Sequence, residues 1–188
     1  NLMKFMVVEN FFDNFSQIED EFKKIPRYDY KEHPDIKPKL KEIDEKRKEN
    51  NQGYFWPGHR SEDLKKTNKF LTALFLNEYG NKFKNFFDEK LGFAIYTHLR
   101  LADTNEVDFK HKDTPDSTYS LLVYLSKTNL DSGTILYDDF GQEVADIKFV
   151  QNRAIIFDSR YTHLAKNNHG KNEDDGRLTL NVFWRKPK

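Results

Sequence analysis

The chain has 188 residues, a length that suits one domain, and its 17 Phe, 9 Tyr and 2 Trp supply enough core volume to exclude a fully disordered protein. Its 31 basic residues balance 31 acidic residues, so no overall charge attracts nucleic acid or anionic lipid. The absence of cysteine excludes disulfides, zinc ribbons, iron–sulfur clusters and thiol nucleophiles, so any metal must be held by His, Asp and Glu.

Residues 1–25 predict a short strand followed by a helix. Acidic residues separate apolar side chains that recur at helical spacing, namely Phe11, Phe12, Phe15, Ile18 and Phe22.

Residues 26–60 form a polar segment that prolines interrupt. A dense mixed-charge run over 37–51 predicts a short exposed helix. The segment ends in an aromatic loop, Tyr54-Phe55-Trp56-Pro57 between glycines, which we expect to dock either on a ligand or on its own domain.

Residues 61–91 predict two helices. Ser61, followed by two acidic residues, is the expected N-cap, and Gly92 is the expected stop. The apolar stripes that these helices would bury are Leu64, Leu71, Leu74 and Phe75, then Phe83, Phe86, Phe87 and Leu91.

From residue 93 the pattern changes to short strands. The predicted strands cover 93–101, 107–112, 119–126, 134–137, 154–157 and 178–184. Asp131-Ser132-Gly133 and Asp139-Phe140-Gly141 are predicted turns. Helices followed by a run of strands indicate an α+β fold, with a helical layer behind a sandwich or barrel.

The tripeptide His111-Lys112-Asp113 is the first candidate for chemistry. On a strand, residues i and i+2 point to the same face, so His111 and Asp113 would converge while Lys112 turns away. The similar tripeptide His33-Pro34-Asp35 lies in the proline-interrupted zone with no strand around it, and we do not assign it a site.

Two later residues extend this pattern. His163 follows the apolar strand 154–157 and a turn, and Arg177 opens the last strand. Along that strand Arg177, Thr179 and Asn181 share one polar face, which we expect to point into a cavity. Taken singly, both histidines have an alternative role as buried structural residues.

Residues 93–184, about half of the chain, resemble the double-stranded β-helix (jelly-roll) core of the iron(II)/2-oxoglutarate-dependent dioxygenases, and most closely the prolyl hydroxylase branch. The matching pieces are His111-Lys112-Asp113, Val123-Tyr124-Leu125-Ser126, Ser132-Gly133-Thr134, Phe157-Asp158-Ser159, His163 and Arg177. The sequence departs from this pattern in having one glycine in place of a Gly-Gly pair, and a long polar insert, 167–175, between His163 and Arg177.

The resemblance implies a single dioxygenase domain over 1–188. Residues 1–91 would form the N-terminal strand, helices and lid-like loop, and residues 92–188 the double-stranded β-helix core. His111, Asp113 and His163 would hold Fe(II) as a facial triad, which leaves positions for 2-oxoglutarate and O2. Arg177 would anchor the far carboxylate of 2-oxoglutarate, since a guanidinium offers a bidentate fork whose charge is permanent.

Tyr124 and Thr179 are the candidate hydroxyl donors to the same cosubstrate. For Tyr124 the alternative is a core tyrosine with a satisfied hydroxyl, and for Thr179 it is a residue that only solvates the cavity. Tyr96, His98 and Arg100 share one face of the predicted strand 93–101, and this face would either line the substrate entrance or meet solvent. His59, His98 and His169 are interpreted as surface or structural residues.

The implied reaction is hydroxylation of an aliphatic C–H, coupled to decarboxylation of 2-oxoglutarate to succinate and CO2, with ascorbate as a candidate reductant. A proline in a peptide is the expected substrate, with segments 26–60 and 167–175 as the rim that holds it. The alternatives are a small metabolite, a nucleobase, or a non-catalytic β-helix binding protein. We expect no nucleic-acid or membrane partner and a cytoplasmic location, because no apolar run approaches a membrane span and no signal-like segment opens the chain.

Overall fold

The computed structural model describes residues 2–49, 56–84, 86–87, 90–104 and 110–187. The helices are α1 (Phe15–Lys23), α2 (Leu40–Glu49), α3 (Leu64–Thr67) and α4 (Lys69–Lys82), and a 3-10 turn spans Lys37–Lys39. The strands are β1 (Phe5–Val8), β2 (His59–Arg60), β3 (Gly92–Arg100), β4 (Ser117–Tyr124), β5 (Asn129–Tyr137), β6 (Glu143–Phe149), β7 (Ala154–Asp158), β8 (Thr162–Lys166) and β9 (Arg177–Arg185).

The strands form two antiparallel sheets. The major sheet has the order β1-β7-β4-β9-β3-β2, and the minor sheet has the order β6-β5-β8. Both outer strands of the major sheet, β1 and β2, come from the N-terminal part of the chain. This arrangement is the predicted α+β fold, with a jelly-roll core behind N-terminal helices.

The larger hydrophobic core lies between the major sheet and the helices. Aromatic side chains from the helical region meet the outward faces of β3, β4 and β9, and Trp184 packs against both Phe75 and Tyr79. The strand residues of this core are Ile95, Leu99, Leu121, Val123, Leu178, Leu180, Val182 and Trp184. Burial of this apolar area holds the helical layer on the sheet.

A second, smaller core fills one end of the space between the two sheets. Tyr124 from the major sheet stacks on Phe149 from the minor sheet, with 4.4 Å between ring centroids. The other members are Leu136, Ile147, Ile155, Phe157 and Tyr161. The rest of the space between the sheets is available for a cavity.

The predicted helices of residues 61–91 need correction. Asp63, rather than Ser61, caps α3, since its carboxylate accepts from the backbone N–H of Lys65 at 3.0 Å. Asn68 caps α4, which ends at Lys82. No described residue between Lys82 and Gly92 is helical, although Phe83 and Phe86 are buried. Phe83 and Phe86 have helical spacing because both side chains reach the same core, although the backbone is no longer helical at these residues.

The strand predictions are confirmed for β3, β4, β5, β7 and β9, and α1 and the exposed helix α2 also lie where the sequence predicts them. Strands β6 and β8 were not predicted. Asp131-Ser132-Gly133 is not a turn but lies within β5, at a shift in its register with β6, and Gly92 begins β3 instead of ending a helix. Of the predicted strand 107–112, residues 107–109 fall outside the described residues, as do Gly53, Tyr54 and Phe55. In the other half His111 forms an isolated bridge, and no regular strand is present. Among the helices in the described part of the chain, none is long and apolar enough to span a membrane.

Candidate metal centre and its cavity

A cavity of about 370 Å³ opens between the two sheets. Its walls come from the inward faces of β3, β4 and β9, from β5 and β8 of the minor sheet, and from the segment around Trp56. The predicted residues His111, Asp113, His163, Arg177 and Thr179 all line it. One cavity therefore collects residues from widely separated parts of the chain.

A backbone bridge brings the two histidines together. The N–H of His111 donates to the carbonyl of His163 at 3.0 Å, and the N–H of His163 donates back at 2.8 Å. The two imidazole centroids are 4.3 Å apart. His163 lies on β8, whereas His111 lies in this isolated bridge rather than in a regular strand.

Asp113 completes the cluster. Its Oδ1 lies 3.4 Å from Nε2 of His163, and one potential ligand atom from each of His111, Asp113 and His163 lies within 4.8 Å of the others. Burial acts to raise the pKa of Asp113, but its contacts with His163 and a hydrogen bond from Ser120 hold the pKa below its ordinary value. The group is therefore a carboxylate at neutral pH, the form that a metal ion binds.

A chain of serine hydroxyls supports this carboxylate. Ser120 on β4 donates to Oδ2 of Asp113. Behind it, Oγ of Ser159 lies 3.2 Å from Oγ of Ser120 and 2.9 Å from Oγ of Ser117. Ser120 was not among the site residues expected from the sequence, although its position in the predicted strand 119–126, on the face that meets the cavity, is a signal for such a role.

The donor set fits a divalent transition metal. Two imidazoles and one carboxylate on one side of a cavity are the facial donors that a six-coordinate iron(II) site uses, with the remaining positions open. The tripeptide His33-Pro34-Asp35 offers no comparable set. His33 is buried, with Nε2 at 2.9 Å from the carbonyl of Ser61 and Nδ1 accepting from the N–H of Asp35 at 3.1 Å.

Arg177 begins β9 and is 3% exposed. Its guanidinium donates to the carbonyl of Gly133 at 3.0 Å and lies 5.8 Å and 5.6 Å from the ring centroids of Tyr124 and Phe149. Gly133 has a φ of 147°, and a Cβ there would lie 2.0 Å from the carbonyl oxygen of Ile147. Glycine is thus required at the point where β5 approaches Arg177.

Tyr124 and Thr179 occupy different positions. Tyr124 is fully buried beside Thr134, with its hydroxyl 2.7 Å from Oγ1 of Thr134 and 3.3 Å from the carbonyl of Ile147. Burial raises the pKa of Tyr124 to about 12, so the hydroxyl stays protonated. Thr134, rather than Tyr124, lines the cavity. Thr179 lines it directly and donates to Oδ1 of Asn181 at 2.6 Å.

Three further cationic residues line the cavity, namely Arg60, Arg100 and Arg185. Arg60 ends the predicted rim segment 26–60, and Arg100 lies on the face predicted to meet either the substrate entrance or solvent. His98, on that same face, also lines the cavity, with Nε2 at 2.5 Å from the carbonyl of Pro57. Burial, and then the charges of Arg60 and Arg100, place the pKa of His98 well below its ordinary value, so its ring is neutral.

The polar insert 167–175 does not form the predicted rim. None of its residues lines the cavity. Instead, Asp174 pairs with Lys23 of α1 at 2.8 Å and Glu173 pairs with Arg27 at 3.4 Å. The opposite charges of these partners hold the insert toward the helical side. Of the other predicted rim segment, Trp56, Pro57 and Arg60 do line the cavity.

A search of protein-family models finds no match to this chain, and a search of curated proteins finds none either. Solved structures do match. HygX from Streptomyces hygroscopicus, determined with nickel and 2-oxoglutarate bound, has 12% identity and a TM-score of 0.65, over 98% of this chain and 83% of that chain.

Two further structures are similar over nearly the whole chain. A 2OG-Fe(II) oxygenase family oxidoreductase from Burkholderia pseudomallei has 11% identity and a TM-score of 0.56, over 96% of this chain and 84% of that chain. A prolyl hydroxylase from Trichoplax adhaerens, in complex with a hypoxia inducible factor peptide fragment, has 12% identity and a TM-score of 0.53, over 96% of this chain and 83% of that chain. At such identities the likeness is one of fold: this chain has the fold of the 2-oxoglutarate–iron(II) oxygenases.

Proposed function

We propose that this protein is an Fe(II)/2-oxoglutarate-dependent dioxygenase that hydroxylates an aliphatic C–H and converts 2-oxoglutarate to succinate and CO2. One observation carries the proposal. The ligand atoms of His111, Asp113 and His163 lie within 4.8 Å of one another, in a cavity that also contains a buried arginine, Arg177.

In this proposal His111, Asp113 and His163 hold the iron, which supplies the oxygen chemistry when bound. The backbone bridge between the two histidines fixes their spacing, and Ser120 fixes the carboxylate of Asp113. Residues that orient ligands in this way maintain both the affinity and the geometry of a metal site.

Arg177 binds the carboxylate of 2-oxoglutarate that is remote from the metal. Its burial beside two stacked aromatic rings strengthens a charge-assisted pair, because little water competes for the guanidinium. Thr179 lies on the same face of β9 and offers a hydroxyl beside it, and Tyr124 supports Thr134 from behind.

For the primary substrate we propose a proline in a peptide. Trp56 and Pro57 line the cavity and provide the kind of apolar surface on which a proline packs. The fold likeness to a prolyl hydroxylase with a bound peptide supports the same choice. A small molecule is the second candidate substrate, because a cavity of about 370 Å³ is within the range of small-ligand pockets.

The test is release of succinate from 2-oxoglutarate with iron present, followed by mass spectrometry of the substrate. Proline-rich peptides and free L-proline are compared, and a gain of about 16 Da marks addition of one oxygen atom. We expect oxidation of peptides with the wild-type protein and none with Asp113→Ala. Oxidation of free proline alone would reject the peptide substrate, and absence of 2-oxoglutarate turnover with every substrate would reject the enzyme class.

A further inference from the structure

Arg60 has no part in the chemistry proposed above, yet it lines the same cavity. We propose that its guanidinium anchors an anionic group, a carboxylate or a phosphate, on the primary substrate. This inference rests on the proposed function, because it assigns the metal and 2-oxoglutarate to other residues of the cavity.

The position of Arg60 is well defined by its neighbours. It lies on β2, opposite His98 in the register with β3. Its guanidinium carbon is 4.9 Å from the ring centroid of Trp56 and 5.3 Å from that of Tyr96. Cation–π contacts with two aromatic rings therefore fix the position of the guanidinium. Its in-plane N–H groups are the donors with which it can bind a ligand.

Arg60 lacks a counter-charge in the part of the chain that the structure describes. Among the described residues no carboxylate forms an ion pair with it, and its buried Nε has no hydrogen-bond acceptor. Burial lowers the pKa of Arg60 to about 10, and the positive charges of Arg100 and Arg185 act in the same direction, while Tyr96 and Asp113 oppose them. The group is still a cation at neutral pH, and it shares the cavity with other cations.

Arg60 is half-buried, with its Nε fully buried, so its charge is partly desolvated. A desolvated charge without a partner carries a cost that a paired charge recovers. Among the described residues that line the cavity, the only acid is Asp113, which the proposed function commits to the metal. A bound carboxylate or phosphate would accept two parallel N–H bonds from the fork and supply the missing charge.

The cosubstrate does not account for this site. Strand β3 lies between β2 and β9, so Arg60 is two strand spacings, about 10 Å, from the strand that carries Arg177. Arg60 also stacks on Trp56 and Tyr96, whereas Arg177 donates to the carbonyl of Gly133 beside Tyr124 and Phe149, so the two guanidinium groups have different neighbours. In the proposed function both carboxylates of 2-oxoglutarate are already bound, one at the metal and one at Arg177. The additional anion therefore belongs to the substrate.

The experiment measures binding by calorimetry, with the protein loaded with Zn²⁺ and saturating 2-oxoglutarate so that no turnover occurs. Each anionic probe is paired with a neutral one of similar shape. N-acetyl-L-proline is compared with N-acetyl-L-prolinamide, and an amidated, acetylated Gly-Pro-Glu peptide with its Gly-Pro-Gln counterpart. Inorganic phosphate is the third arm. The arm that binds identifies whether the anion is a small acid, an acidic peptide side chain or a phosphate.

We expect at least one anionic probe to bind about tenfold or more tightly than its neutral counterpart, or phosphate to bind measurably, with the preference lost in Arg60→Gln. Arg160→Gln is the matched control, because it removes the same charge from an exposed residue that does not line the cavity, and it should keep the preference. Arg60→Lys keeps the charge but lacks the paired N–H donors of a guanidinium. Its preference for the anionic probe should be intermediate between those of the wild-type protein and Arg60→Gln, and this variant provides the test if Arg60→Gln does not fold. Equal binding of all pairs with no binding of phosphate, or a preference that survives in Arg60→Gln, would overturn the proposal.

The affinity for 2-oxoglutarate separates this proposal from the proposed function. Arg60→Gln should bind 2-oxoglutarate as the wild-type protein does, and a large loss there would assign Arg60 to the cosubstrate and overturn the proposal. If the wild-type protein bound neither Zn²⁺ nor 2-oxoglutarate, the proposed function would fail. The anion preference, measured on the metal-free protein, would then still decide the role of Arg60.

Discussion

At the start of β9 both faces of the strand are buried, yet they have different chemistry. On the face toward the helices Leu178 and Leu180 are fully buried, and on the face toward the cavity Arg177 is 3% and Thr179 is 5% exposed. The first face is entirely apolar and belongs to the larger core. The second carries hydrogen-bonding and charged groups around a cavity. Burial alone therefore does not identify a site in this fold, whereas alternation along a strand does.

This difference between the faces predicts different effects of substitutions on each of them. Truncation on the helical face removes packed apolar atoms and should lower the free energy of unfolding. Truncation on the cavity face removes a ligand-binding group and should affect metal or cosubstrate binding with little loss of stability. The predictions below test that separation, beginning with the largest effect.

Asp113→Ala should abolish turnover and metal binding, because it removes the carboxylate from a three-residue donor set. The melting temperature should be retained, since no apolar core side chain is lost. The measurements are calorimetric titration with Fe(II) under anaerobic conditions and a thermal melt.

Asp35→Ala is the matched control, since this exposed aspartate belongs to the similar tripeptide His33-Pro34-Asp35. It should bind metal normally. Loss of metal binding in this control rather than in Asp113→Ala would contradict the assignment.

Arg177→Ala should weaken binding of 2-oxoglutarate by roughly 2–5 kcal/mol, the usual cost of removing one partner of a buried charge pair. Fe(II) binding should change far less, because Arg177 is not a ligand. Equilibrium titration of 2-oxoglutarate into the metal-loaded protein measures the effect. An unchanged affinity would reject Arg177 as the anchor.

Leu180→Ala, three residues along the same strand, should behave in the opposite way. Leu180 is fully buried on the helical face, so the change should lower the free energy of unfolding by about 2–5 kcal/mol. Affinity for 2-oxoglutarate, measured where the variant is folded, should stay close to that of the wild type. Denaturant unfolding provides the stability, and Leu130→Ala, at a residue 62% exposed, is the control with little expected change.

Ser120→Ala should give the smallest effect on the cavity face, a fall in metal affinity of about 10–100-fold, because the carboxylate loses the donor that orients it. Ser117→Ala, at the far end of the serine chain beyond Ser159, should cost less. Competition with a metal chelator measures both. Equal losses in the two variants would show that the serines act through the strand as a whole rather than through Asp113.

Several features follow from local patterns that the sequence already displays. The period-two alternation of the last strand predicts both of its faces, and the spacing of His111 and Asp113 predicts that they converge. The structure brings these residues together with His163. For β9 the prediction succeeds because side-chain direction in a strand depends only on the parity of neighbouring residues. His111 and Asp113 converge although neither lies in a regular strand, so strand parity is not the reason in their case.

Local sequence patterns give wrong predictions where tertiary contacts, rather than local structure, determine the position of a residue. Phe83 and Phe86 have helical spacing but follow the end of α4, because the core they fill accepts aromatic rings from irregular backbone as well. The insert 167–175 has the composition of an exposed loop, but ion pairs with Lys23 and Arg27 draw it away from the cavity.

By itself the sequence determined the α+β class, the polar face of β9 and the candidate ligands His111, Asp113 and His163. Only the tertiary structure placed Ser120 against Asp113 and brought Arg60 into contact with both Trp56 and Tyr96. The physical reason is the separation in sequence over which each kind of interaction acts. Strand parity and helix periodicity act over a few residues, whereas a hydrogen bond or a cation–π contact between separate strands exists only after the sheets have paired and the distant side chains have met.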